Sequence, residues 1–497
     1  MVWVLIYWLR RSKRKYRYPP GPRGLPVLGN LLQVGNLPWE TFTEWGKTYG
    51  GLITVKMGMK KWVIVNSPRA MKQLIMDRGA LWSDRPQDYV TDNYARGGMG
   101  LLFTKLGPKY NLYRQVAWKA LSKTAVDAYQ PLMDYEASVC MRTLAQLDGA
   151  SIDPYVTFDE CIIRTMITVA IGQIMEPHDP AVQTVVHHHE EMKAEFSFTR
   201  RWPDLFPLLS FLSGKHVKRV IAKRDRFEAF WQARINTLKQ SIKEGSDVPC
   251  FAGMILKDPA AKISEIELIQ LLNLIIAASD TTATAMTSLV IILASHPEIQ
   301  ERAAAEIEEV FGTDALPHLD DSVDLPYMSC VLKELLRYRT PNYFGAGHAL
   351  AKDDTFDFEG QTYSLPKDTF VLTNIHALHM ANAKYTNPWQ FDPTRHESSA
   401  QVPSSTMAKG PFDERDHYAF GTGRRACTGM ILAERELLTL AVRMLWAFRI
   451  AFATDADGRE IKVDPLGAVY ESFAHALPCQ LHFYKRHEGV DALLQSA

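Results

Sequence analysis

From Ser264 to His296 the chain carries an apolar stretch that faces no single side: Leu271, Leu272, Leu274, Ile275, Ile276, Ala277 and Ala278, then Leu289, Val290, Ile291 and Ile292. Ser264-Glu265-Ile266-Glu267 is a capping box and Pro297 is a stop, so the spacing predicts one long helix between them. A helix that is apolar all round runs through the core of a large protein or through a membrane. In its middle stand Ser279, Asp280, Thr281 and Thr282. Burying an unpaired carboxylate costs several kcal/mol, so Asp280 needs a buried partner or a chemical role. Two plainer readings compete. A membrane span would hold Asp280 only at a cavity, and the charged run after it (Glu298, Glu301, Arg302, Glu306, Glu308, Glu309) belongs in water. Alternatively, Thr281 and Thr282 bond back to the preceding turn and Asp280 reaches solvent.

The rest of the chain tells which setting to expect. Hydrophobic residues make up 46% and charged residues 23% of 497, a globular balance. Lys+Arg and Asp+Glu both number 56, so the basic footprint of a nucleic-acid binder is missing. Six scattered cysteines (Cys140, Cys161, Cys250, Cys330, Cys427, Cys479) form no CxxC pair, which argues against a disulfide scaffold or a structural zinc site. Alternation from Gly51 to Val65 predicts a hairpin, Pro108 to Thr340 reads as helices broken at prolines, and short strands return around 357–372 and 480–484. The fold class is mainly α with small β-sheets (α+β), in one large domain over residues 19–497.

Residues 1–18 read as a short anchor. Val2 to Leu9 is apolar, with Trp3, Tyr7 and Trp8, and Arg10, Arg11, Lys13, Arg14, Lys15 and Arg17 follow. Crossing a bilayer takes about 20 apolar residues, so this piece is expected to rest at a membrane surface with its basic side in the cytosol. Phe196, Phe198, Trp202, Phe206, Leu208, Leu209 and Phe211 read as core, with a lid touching lipid as the alternative.

Phe420-Gly421-Thr422-Gly423-Arg424-Arg425-Ala426-Cys427-Thr428-Gly429 is the second strong signal. Gly421-x-Gly423-x-x-Ala426 meets a loose dinucleotide fingerprint, but Asp413 to His417 precede it instead of an apolar strand, and no acid follows in the Leu440–Trp446 window. A dinucleotide-dependent dehydrogenase is the rival this context disfavours. The other reading centres on Cys427, at the start of a helix with an apolar face at Met430, Ala433, Leu437 and Leu440. Backbone N–H groups and Arg425 would favour its thiolate.

Phe420-x-x-Gly423-x-Arg425-x-Cys427-x-Gly429 resembles the haem-binding signature of the cytochrome P450 family at every fixed position. That resemblance implies a single fold around buried haem b, with Cys427 as the axial ligand of iron. Ala277-Ala278-Ser279-Asp280-Thr281-Thr282 is similar to the family's oxygen-binding groove, with Thr281 toward dioxygen and Asp280 relaying protons; the second alanine stands where glycine is more frequent. Arg425, Arg114 and His348, with Arg85 and Tyr110, are implied partners of the haem propionates. Tyr110 and Asn111 depart from the usual tryptophan and arginine there, and Thr340, Tyr343 and Gly347 replace frequent prolines. Glu334-x-x-Arg337 with Arg395 is the implied structural trio, and Met99, Leu102, Phe103, Tyr343, Phe344 and Phe473 the implied substrate pocket.

The implied activity is insertion of one atom of O2 into a lipophilic small molecule, at the cytosolic face of the endoplasmic reticulum, in fungal secondary-metabolite biosynthesis. Electrons are expected from an NADPH–cytochrome P450 reductase, with cytochrome b5 as a further donor, docking near Arg415 and Arg424. A family member that rearranges its substrate without O2, and a haem protein without turnover, are the alternatives.

Overall fold

The apolar run folds as one long helical stretch, Glu265–Ser295, interrupted only at Ala278, in the computed structural model, which describes residues 16–87, 100–177, 179–196, 202–320, 323–470 and 473–496. Ser264 and Glu267 form the capping box, with Ser264 N–H donating to Glu267 Oε2 (2.9 Å), and the first helix spans Glu265–Ala277. Ala278 interrupts it, and Ser279–Ser295 continues to Pro297. The cause is local competition for carbonyls. Ala278 O accepts from the Thr281 hydroxyl (2.9 Å) and the Thr282 hydroxyl (3.4 Å), and Ser279 Oγ donates to Ile276 O (2.7 Å). By length and composition the two halves together would cross a membrane, yet most of the stretch is buried against protein. It is the core helix.

Around it pack Lys123–Ala145, Pro154–Ile171 and Met430–Ala447, with one continuous apolar cluster among them. Prolines set helix starts along the chain (Pro108, Pro154, Pro180, Pro297, Pro326), where the missing N–H is no loss. The expected hairpin is present as Leu52–Met57 against Lys60–Val65. Lys60–Val65 also pairs in parallel with Phe370–Thr373, which in turn pairs with His348–Ala349, so a mixed four-stranded sheet joins the N-terminal hairpin to strands far along the chain. Three two-stranded pairs, Asp354–Phe358 with Gln361–Leu365, Phe448–Phe452 with Leu481–Lys485 and Ala468–Tyr470 with Ala474–Ala476, complete the small-sheet content among the described residues. Most of the proposed anchor (residues 1–15) lies outside the described residues.

Candidate active site

A cavity of about 620 Å³ lies between the broken helix and the cysteine loop. On one side it is lined by Leu274, Ala278, Thr281, Thr282 and Ala285, and on the other by Phe420, Gly421, Arg425, Cys427 and Gly429. The loop bends through Gly421 (φ 66°) and Gly423 (φ 65°), both in the left-handed region that glycine adopts freely. A Cβ on Gly423 would sit 2.9 Å from Ile75 O, so that residue seats the loop against the neighbouring turn and does not line the cavity. A Cβ on Gly421 or Gly429 would meet no protein atom, which leaves room for a flat group to come close to the backbone.

Cys427 N–H donates to Phe420 O (2.9 Å), which closes the loop. Its accessible surface opens onto the cavity, though protein packs round it closely. The following helix begins at Met430, close to Cys427 as the spacing suggested, after a turn at Thr428–Gly429 with Gly429 as its N-cap. Helix-terminal help comes from the Gly429 N–H. Burial raises the Cys427 thiol above the usual cysteine value, and Gly429 N–H and Arg114 oppose this without winning. A thiolate there calls for a cation in the cavity.

Three arginines and a histidine converge on the same void. Arg425 donates to Ser83 O (2.9 Å) and Thr104 O (2.7 Å) and stacks on Tyr110 at 3.9 Å. Arg114 donates to Ala426 O and to the Tyr110 hydroxyl (both 3.2 Å), and Tyr110 donates to Arg424 O (2.5 Å). Arg85 donates to Leu102 O, Ala346 O and Gly347 O (each 2.7 Å). His348 is buried, and its Nδ1 has no hydrogen-bond partner. Burial, then the Arg85 and Arg425 charges, hold His348 well below the usual imidazole range, so it is neutral. Burial likewise lowers the Arg425 guanidinium, with Arg114 adding to the effect. Crowded cations and an orphaned donor–acceptor beside a soft sulfur fit a planar group that carries carboxylates and a metal, as haem does.

Asp280 is fully buried but does not line the cavity. Its Oδ1 accepts from the Tyr155 hydroxyl (3.0 Å), and its Oδ2 lies 3.8 Å from His475 Nε2. Thr281, the next residue, does line the cavity. Leu102, Phe103, Phe344 and Phe473 line it as well. Tyr343 does not: its ring packs on Trp39 (4.7 Å) and His376 (5.3 Å) in the apolar cluster beneath the sheet. Met99 and the Ala277 side chain fall outside the described residues.

Away from the cavity, Arg337 grips Glu334 through two bonds of 2.7 Å, both side chains fully buried. Arg395 Nε is 3.3 Å and His396 Nε2 3.0 Å from the same carboxylate, and Asp392 N–H donates to it. These bonds outweigh burial and lower the Glu334 carboxyl from its ordinary value. His396 was not read from the sequence; only its adjacency to Arg395 could have suggested it. Arg415, expected at a docking surface, is buried, with NH1 on Thr422 Oγ1 (2.8 Å), because the loop needs a donor there; Arg424 is exposed. Glu436 was also missed. It lines the cavity with neither oxygen hydrogen-bonded, and its signal was an acid on an otherwise apolar helix face.

With this geometry in place, comparison with known proteins is informative. The sequence profile described as Cytochrome P450 matches residues 19–471. The chain is 29% identical to cytochrome P450 monooxygenase verL of Clonostachys rogersoniana, over 98% of its own length and 90% of that protein. It is 29% identical to cytochrome P450 monooxygenase yanC of Aspergillus niger (95% and 90% covered) and 28% identical to cytochrome P450 monooxygenase macC of Penicillium terrestre (95% and 90% covered).

Proposed function

The chain belongs to the cytochrome P450 family and is a monooxygenase of it, and on that premise we propose that it holds haem b on Cys427 and oxidises a lipophilic small molecule. The observation that carries this reading is the convergence on one cavity of the Cys427 sulfur, three arginines, neutral His348 and the Ala278–Thr281 break. Arg85, Arg114, Arg425 and His348 would take the two propionates. When bound, haem supplies two-electron activation of O2, so that one oxygen atom enters the substrate and the other leaves as water.

What the chain adds is positioning and proton control. The Thr281 hydroxyl gives its proton to Ala278 O, so its lone pairs are left to accept a hydrogen bond or a proton from the cavity side. Asp280, one residue back and on the far face, is the nearby acid that would replenish it. Phe103, Leu274, Phe344 and Phe473 exclude water and favour an apolar substrate. Family membership implies a redox partner; we assign an NADPH-dependent reductase, with Arg424 among the exposed charges on the cysteine side.

Two exposed apolar segments support attachment to a membrane surface, which we place at the endoplasmic reticulum. Leu208 (72% exposed), Phe211 (77%) and Leu212 (61%) project from Pro207–Ser213, and Val27 and Leu32 from the segment before the first helix. Met59 N–H on Leu205 O (3.0 Å) and Gly58 N–H on Leu28 O (3.1 Å) tie both segments to one hairpin tip. A role in fungal secondary metabolism is our reading of the likeness to fungal monooxygenases.

The decisive test is the reduced carbon-monoxide difference spectrum, which reports thiolate ligation. The wild-type holoprotein should give it and Cys427→Ala should not. An unchanged spectrum in the variant would refute the assignment. A binding screen that follows the haem absorption band would then find the substrate.

A further inference from the structure

Asp280 can serve the cavity repeatedly only if something returns a proton to it, and the groups around it narrow the choice. The helix that carries Asp280 packs against Pro154–Ile171 and the Ala474–Ala476 strand, and each of these brings a polar side chain to the carboxylate. From the first of these comes Tyr155, whose hydroxyl donates to Asp280 Oδ1 at 3.0 Å. Burial and then the Asp280 charge raise its pKa, so Tyr155 keeps its proton and acts as a fixed donor. Asp159 and Glu190 add negative charge on the same side. From the strand comes His475, with Nε2 3.8 Å from Asp280 Oδ2, its ring edge-on to Tyr155 at 5.3 Å. Arg339 donates to the His475 backbone carbonyl (3.1 Å), which fixes the strand without touching the imidazole.

Two features single out His475. Its side chain is 14% exposed while Asp280 is fully buried, so part of the His475 side chain, though not Nε2 itself, reaches water. Its Nδ1 lies 3.3 Å from Thr284 Oγ1, one turn beyond Asp280 on the same helix. A hydroxyl both donates and accepts. Thr284 therefore satisfies Nδ1 whether the ring is neutral, by donating, or cationic, by accepting. The pocket tolerates both protonation states of the ring, which a purely structural histidine does not need.

We propose that His475 is the proton port of this enzyme, collecting protons from solvent and passing them to Asp280, which delivers them across the helix to the cavity at Thr281. Each passage moves one proton and no electrons. Imidazolium Nε2–H gives its proton to Asp280 Oδ2, leaving a neutral ring and a neutral acid, and the ring turns its buried Nε2 outward to be reprotonated by solvent. The 3.8 Å gap is spanned by one water or a small rotation of the ring. The proposal rests on the assignment of Asp280 and Thr281 above, and it makes His475 a positioning and supply residue rather than one that touches substrate.

The test uses the holoenzyme with its reductase and no added substrate, reading peroxide released per NADPH consumed from pH 6 to 8.5. In wild type the peroxide share should rise with pH as the imidazole loses its proton. His475→Gln, which keeps a hydrogen-bonding side chain but cannot titrate, should raise the share at pH 6 about two-fold or more and flatten the profile. Thr284→Val, which frees the ring, should shift the same profile even if His475→Gln folds poorly. Unfolding midpoints of Asp280→Asn, His475→Gln and the double variant give a readout independent of turnover. The two single effects should be non-additive at pH 6 and closer to additive at pH 8.5. A wild-type pH profile retained in His475→Gln, or additivity at both pH values, would overturn the proposal. If Asp280→Asn and Thr281→Ala also leave the peroxide share unchanged, the fault lies in the site assignment; if they raise it and His475→Gln does not, only the port is wrong.

Discussion

Glu334 and Asp280 are both fully buried carboxylates on helices, and the structure treats them oppositely. Glu334 is saturated: two bonds from Arg337, contacts from Arg395 and His396, and the Asp392 N–H leave it ionised and immobile. Asp280 has one phenol at 3.0 Å and an imidazole at 3.8 Å. Desolvation costs both of them, and it is the dense set of donors around Glu334 that locks that acid into the scaffold. Glu436 extends the series. Burial, opposed by the Thr165 hydroxyl and helped by the Glu136 charge, pushes its carboxyl up to about 8. A saturated acid holds the fold, whereas burial that its partners do not offset raises a carboxyl.

The largest expected effect tests the saturated end. Arg337→Ala would strand Glu334 as a buried charge and cost roughly 3–5 kcal/mol, enough to lose most folded holoprotein; urea unfolding with haem retention measures it. A loss under about 1 kcal/mol would mean the cluster is no more than a surface-type pair. Next comes Thr281→Ala, which should leave haem binding and the carbon-monoxide spectrum intact while diverting most NADPH-derived electrons to peroxide. Full coupling with a turned-over substrate would detach the alcohol from proton handling.

Glu436→Gln sharpens the comparison through pH. A carboxyl raised from 4.5 to about 8 binds more protons in the folded than in the unfolded state across that interval, so wild-type stability should fall as pH rises through it. The variant should lack that slope, with little difference from wild type near pH 5 and a higher unfolding midpoint near pH 8. Parallel pH profiles would show that Glu436 has an ordinary pKa. The smallest effect concerns the surface: Phe211→Ser with Leu208→Ser should change stability by no more than about 0.5 kcal/mol, yet reduce sedimentation with phospholipid vesicles in a chain lacking residues 1–18. Unchanged sedimentation would place membrane contact elsewhere.

Much of the scaffold was legible because it is written in local chemistry. The hairpin followed from alternation, helix starts from prolines, and the Ser264–Glu267 cap from its spacing. The break at Ala278 was not predicted, although Thr281 and Thr282 bonding back to the preceding turn was one of the plain readings, and both in fact do so. That reading paired the back-bonding with an Asp280 in solvent, whereas the carboxylate is buried. Tyr343 was expected in the pocket and Arg415 on a docking surface, but Trp39, distant in sequence, and the folded loop at Thr422, near Arg415 in the chain, hold them in the interior.

The sequence by itself determined the cysteine loop, the hydroxyl-rich break and the acid beside it, since glycine dihedrals, caps and side-chain-to-carbonyl bonds act within a few residues. Only the tertiary structure decided which way Asp280 faces and that Tyr155 and His475 meet it. Those partners lie on elements far apart in the chain, and it is packing of the core, which no short-range pattern encodes, that brings Tyr155 within hydrogen-bonding reach and His475 to 3.8 Å.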